Sequence, residues 1–207
     1  TGFAGTWNAI TACTVYGNLK LATGMTLTAS TSAMTFGATS GTKTITSNGL
    51  TMDFPITFNG VGGTWQLQDA LTVGSTRTTT LTNGALDLNS KTLTTGLFSS
   101  SSANTRTIAF GTGNITVVSS GTVWTTSNTG NLTITGTPLV NVSNNSATAA
   151  TILSGALAEA SAISFNFTTG TYALTFLGNN GHTAKNVDFT GFAGTLGAIN
   201  ACTIYGN

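Results

Sequence analysis

The chain alternates apolar or β-branched residues with small polar ones almost from end to end, with the period of two that marks a half-buried strand. MTLTAS (25–30), TKTITS (42–47), NLTITGT (131–137) and ISFNFT (163–168) show it most clearly. These runs predict strands, and threonine, being β-branched, suits the pleated surface. Pairs such as Asn48-Gly49, Asn83-Gly84 and Gly178-Asn179 separate them. Such pairs accept positive φ and predict turns. Only SATAATILSGALAEASA (146–162) leans helical, through its Ala and Leu content, and Gly155 weakens that expectation, so a short helix or an extended turn is expected there. Helical crossovers between strands are otherwise missing, so a doubly wound α/β sheet does not fit.

An all-β chain of this kind can be an antiparallel sandwich, a closed barrel or a solenoid. Eleven strong strand cores run from CTVY at Cys13 to CTIY at Cys202, a mean interval of about 19 residues. That lies near the lower end of stacked-repeat units. The reading is therefore an uncapped, stackable β-solenoid (parallel β-helix) of about ten coils, with tandem β-sandwich domains as the alternative.

A second, longer period decides the domain organisation. TGFAGTWNAITACTVYGN (1–18) returns as TGFAGTLGAINACTIYGN (190–207), with 14 of 18 positions identical. Residues 1–189 thus read as one solenoid unit and 190–207 as the start of the next. The candidate functional residues are those of this junction: Thr1, Gly2, Phe3, Cys13 and Tyr16, with their counterparts Thr190, Gly191, Phe192, Cys202 and Tyr205. Cys13 and Cys202, a whole repeat apart, read as small apolar strand residues and not as partners in a disulfide.

Composition then narrows the function. Only 5% of the 207 residues are charged and the net charge is +1, whereas 46 are threonine. Hydroxyls and amides must therefore face the solvent. The six cations form no run, which argues against nucleic acid. Nothing approaches the roughly 20 apolar residues of a membrane-spanning helix.

Candidate chemistry is sparse. Asp53, Asp69 and Asp87, 16 and 18 residues apart, could form an acidic column on successive coils, as polysaccharide-cleaving β-helices require. Without basic partners or aromatic subsites they read more simply as turn or solvent-facing residues. His182, in NNGHTAKN, reads as a solvated turn residue, with no serine or acid at triad spacing. Metal ligands and cofactor motifs are lacking, so the expectation is a non-enzyme with no metal and no cofactor. Thr-x-Thr triplets, as at 26–28, 42–44, 105–107 and 133–135, suggest ice binding only if they recur at one coil position. Their sequence spacing does not show that.

The stretch VGSTRTTTLTNGALDLNSKTLTTGLFSSSSANTRTIAFGTGNITV (73–117), with NVDFTGFAGT from Asn186, resembles the low-charge, Thr/Asn/Gly-rich tandem solenoid repeats of long surface and tail-fibre-like proteins of bacteria and phages. The resemblance implies an extracellular setting (cell surface, secreted fibre or virion) and a fibrous or adhesive role, and it transfers no site residue. The expected function is a structural repeat module of a long filament or adhesin. It would bind copies of itself head to tail, with lateral bundling a further option. The alternative is a carbohydrate- or surface-binding fibre domain that engages surface glycans.

Overall fold

The computed structural model describes residues 2–8, 11–176, 181–199 and 201–206, without the side chains of 198 and 199. All its strand pairs are parallel. The chain winds as a β-solenoid of about nine turns. Uniform parallel pairing removes the sandwich alternative, whose hairpins would pair antiparallel.

Each full turn visits three faces in a fixed order. The first face carries a continuous path of nine strands: Cys13–Val15, Met34–Phe36, the front of Ile56–Leu67, the front of Thr78–Asp87, Leu97–Ser99, Gly121–Thr126, Ala150–Ser154, Ala173–Phe176 and Thr195–Ile199. The second face begins with Leu19–Lys20 and Thr42–Thr46 and runs through Arg106–Ala109 to Leu132–Thr135. The third runs from Thr51–Met52 to Val187–Asp188. By chain order Thr6–Trp7 and Thr26–Leu27 belong to the third face, while His182–Ala184 and Cys202–Ile204 belong to the second.

Paired residues on successive turns lie between 19 (Thr79 to Phe98) and 29 (Gly121 to Ala150) positions apart, and most lie 21 to 26 apart. The expected interval of about 19 was too short because the eleven cores sit on different faces. CTVY is on the first, ALDL on the second and LVNV on the third.

Period-two alternation becomes a set of columns along the axis. On the first face Met34, Ile56, Thr79, Phe98, Trp124, Ile152 and Phe176 stack inward in register, all essentially without solvent exposure. Leu71, Leu93, Ile115, Val140 and Phe165 do the same on the third. The indole of Trp124 stacks on Phe98 with centroids 4.7 Å apart and meets Phe165 edge-on at 6.3 Å. Its Nε1–H donates to Thr126 Oγ1 at 3.1 Å.

Outward positions form columns of hydroxyls and amides. Thr14, Thr35, Thr57, Thr80, Ser99 and Thr125 follow one another on the first face. Thr51, Thr72, Thr94, Thr116, Asn141, Asn166 and Asp188 follow one another on the third. These are single columns. The Thr-x-Thr triplets themselves scatter over the second face (42–44, 105–107, 133–135) and the third (26–28).

Two local expectations change. Residues 146–162 form a strand, Ala150–Ser154, and a short 3-10 turn, Glu159–Ser161, instead of a helix. Pairing with Trp124 on one side and Leu174 on the other overrides a weak helical propensity. Asn48 and Gly49 make the expected turn, at φ 51° and 78°. Asn83-Gly84, in contrast, lies inside Thr78–Asp87, where Gly84 at φ 76° bends the strand from first face to second. Gly178-Asn179 lies outside the described residues.

One turn carries a ridge. Between the two halves of Ile56–Leu67, residues 60–63 bulge outward, because only Gly84 opposes them on the next turn. Val61 stands at the apex, 66% exposed.

Truncating a side chain shared by several turns is expected to cost more than its own burial. Trp124→Ala should destabilise the chain by about 3–5 kcal/mol, read as a lower midpoint in denaturant-induced unfolding.

Candidate functional site: the two copies of the junction element

The chain itself supplies the means to compare its two ends, because the same element occurs at both. In the first copy, Thr6–Trp7 pairs with Thr26–Leu27 and Cys13–Val15 pairs with Met34–Phe36. Both partners lie on the following turn. In the second copy, Thr195–Ile199 pairs with Ala173–Phe176 and Cys202–Ile204 pairs with His182–Ala184. Both partners here lie on the preceding turn.

Opposite sides of the element are therefore covered in its two copies. Phe3 is 62% exposed, whereas Phe192 packs against Tyr172 (5.2 Å between centroids), Phe167 and Phe189. Tyr16 is 67% exposed. Tyr205 is 38% exposed and donates its hydroxyl to the carbonyl of Leu157 at 3.0 Å. A Cβ on Gly17 would meet nothing within 4 Å, but one on Gly206 would lie 2.8 Å from the Lys185 carbonyl. Glycine is required at that place only where a preceding turn lies against it. The reverse holds for the other side of the element. Trp7 and Val15 pack against the core, while their counterparts Leu196 and Ile204 are exposed.

Among the remaining junction residues, the glycines follow the same division. Gly2 faces Ala22 of the following turn, and Gly191 faces the Thr168 carbonyl of the preceding one. Thr190 donates both its backbone N–H (2.8 Å) and its hydroxyl (2.6 Å) to Asp188 Oδ1. Those bonds hold the Asp188 carboxyl below its usual range, the hydroxyl's being the larger effect. Cys13 and Cys202 are both free and half-buried against the core, and burial raises the Cys13 thiol. Thr1 lies outside the described residues.

The other candidates occupy separate places. Asp53 pairs with Arg77 Nε at 2.8 Å. Asp69 accepts the backbone N–H of Ser47 and of Asn48. Asp87 accepts from Gln66 Nε2 and from the Asn89 N–H, both at 2.8 Å. Each carboxylate is thus tied to its own turn or neighbour, and the three form no column. Among the described residues no group of three or more His, Cys, Asp and Glu side chains could hold a metal ion. No helix among them is long and apolar enough to cross a membrane.

His182 corrects its expected place. It begins a strand, stacks on Cys202, and is only 4% exposed, with Nδ1 lacking a hydrogen-bond partner. The register that sets Cys202 above it points it inward, a placement its Gly/Asn flanks hid. Burial disfavours the imidazolium and lowers its pKa below 6.5.

Sequence reasoning also missed Arg106, counted among the scattered cations. Its strand alternates inward and outward, and parity with Ile108 drives it inside. There the guanidinium donates to the carbonyls of Asn104, Ser100, Asn128 and Gly130, clamping two neighbouring turns. Only the register of the turns could have revealed this.

One open cleft, about 730 Å³, lies between the second and third faces. Leu139, Asn166, Lys185, Asn186 and Asp188 line it. Comparison with protein families, curated proteins and solved structures finds no match.

Two outcomes are expected. Phe192→Ala should destabilise the chain by about 1–3 kcal/mol, and Phe3→Ala by less than about 0.5 kcal/mol, in paired denaturant titrations. For His182 the unfolded state binds the proton more tightly. Its contribution should therefore be complete above about pH 6.5 and fall as pH drops below that value. His182→Gln should flatten this part of a stability-versus-pH curve measured between about pH 7 and 5.

Proposed function

We propose that this chain is a structural repeat module of a long extracellular filament, fibre or adhesin, extended by head-to-tail stacking of 189-residue units. The observation that carries the reading is the division of the junction element. Its preceding side is open in one copy, its following side is open in the other, and the side chains left exposed in each copy have partners in the other. An element with these residues is accounted for in full only when a turn lies on both sides of it. Open parallel edges are otherwise an association hazard.

Low charge agrees with the same role. Columns of Thr, Ser and Asn expose few ionic groups, so the stability of a rod made of them depends little on salt. Sparse Lys and Arg leave few sites for proteases that cut at basic residues. The module needs no catalytic, cofactor or metal residues, and its partner is itself. The resemblance to bacterial and phage fibre repeats supports an extracellular setting.

A second reading, a carbohydrate- or surface-binding fibre domain, draws on the cleft beside Asn166, Asn186 and Asp188. Its amides, carboxylate and the Lys185 ammonium offer the mixed donors and acceptors that a glycan's hydroxyls pair with.

The first reading is tested by electron microscopy of a chain that carries several units in tandem. Continuous unbranched rods, lengthening by about 40 Å per unit at the spacing of β-strands, are expected. Separate globular beads joined by flexible links would overturn it.

A further inference from the structure

We infer that successive units join with a rotation of one third of a turn, so that each face of one unit continues as a different face of the next. This rests on the filament reading and specifies the seam within it.

The strand path on the first face counts nine strands from Cys13–Val15 to Thr195–Ile199, which is eight turns. The counterpart of Cys13–Val15 is not Thr195–Ile199, however. It is Cys202–Ile204, one face further on, where it stacks on His182–Ala184. Likewise the counterpart of Thr6–Trp7, a third-face pair, lies within the first-face strand Thr195–Ile199. The 189 residues therefore advance the coil by eight turns and one face.

Merging the two copies gives the seam residue by residue. Leu174 lies under Leu196, the counterpart of Trp7, which lies under Leu27. His182, Cys202 and the Met34 position of the next unit form a second column; Ala184, Ile204 and the Phe36 position form a third. Thr183, Thr203 and the Thr35 position form the column between them. Apolar or buried residues thus meet in the two flanking columns, and threonine meets threonine in the middle one. A slip of one residue would turn every side chain to the wrong face.

Backbone hydrogen bonds outside the ladders agree. Towards the following turn, the first copy uses the carbonyls of Gly5, Trp7 and Val15 and the N–H of Cys13. Towards the preceding turn, the second copy uses the N–H groups of Ala193, Thr195, Tyr205 and Gly206 and the carbonyl of Ala201. These correspond to positions 4, 6, 16, 17 and 12 of the first copy, so no group is claimed twice. One element can bind both turns at once, and the occupant of each open side is a second copy of this unit.

At the seam the first face of one unit then continues as the third face of the next, and the second continues as the first. Surface features such as the Val61 ridge and the cleft by Asn166 wind around the filament. They return to the same azimuth only every third unit, after about 120 Å at the usual strand spacing.

The test is helical reconstruction by electron cryomicroscopy of a chain with at least six tandem units, using the Val61 ridge as the landmark. A rotation of about 120° with a rise of about 40 Å per unit is expected. A continuous rod whose ridge recurs at every unit with a rotation near zero would overturn the one-face phase and leave the stacked filament standing. Separate beads would overturn both. Hydrogen exchange on one-unit and two-unit chains gives a second reading. The amides of Cys202 and Ile204, which like those of Cys13 and Val15 face the following turn, should exchange at least tenfold more slowly when a second unit follows, and equal rates there would overturn the shared seam.

Discussion

The constraint on which the whole structure depends is the parity of a parallel strand stacked on its neighbour. Each turn must present its apolar residues at the places where the turns above and below present theirs, because a shift of one residue exchanges core and solvent. Met34, Ile56, Phe98 and Trp124 satisfy this in one column. Turn lengths are free to vary between 19 and 29 residues only because the corners absorb the difference. The bulge at residues 60–63 and the loop at 100–104 are such corners. Arg106 shows what a corner can demand: its donors bond to carbonyls that the ladders leave unused.

The same parity shapes the surface. With inward columns apolar, outward columns are left to residues that favour extended backbone without charge, and threonine meets both conditions. Like charges stacked at strand spacing would repel along the whole axis, whereas hydroxyls and amides bond to their neighbours. Asn141 donates to Asn114 and Asn83 to Asn59 in this way. Low charge, which in the sequence looks like a peculiarity of composition, is thus a property of a surface built from turns stacked in register.

The junction element extends the argument beyond a single unit. A residue such as Gly17, with open space around it, has no local reason to be glycine. Its counterpart Gly206 has one, in the carbonyl of Lys185. Phe3 and Tyr16 gain theirs from Phe192 and Tyr205. The sequence of one copy thus records a neighbour that only the other copy displays.

Period two, turn pairs and lack of charge were legible in the sequence by itself, and they determined strands, turns and an all-β solenoid. The repetition of residues 1–18 at 190–207 was equally plain. These signals are local or are matters of identity, so no coordinates are needed to see them. Which strand belongs to which face was not legible, because strands on all three faces follow the same alternation. For that reason ten short coils were expected where about nine longer ones occur, and His182 looked like a solvated turn residue. The buried places of His182 and Arg106, and the one-face offset between the two copies, depend on the register between residues some 20 to 28 positions apart. Register is set by the combined lengths of the corners, and only the assembled coil decides it.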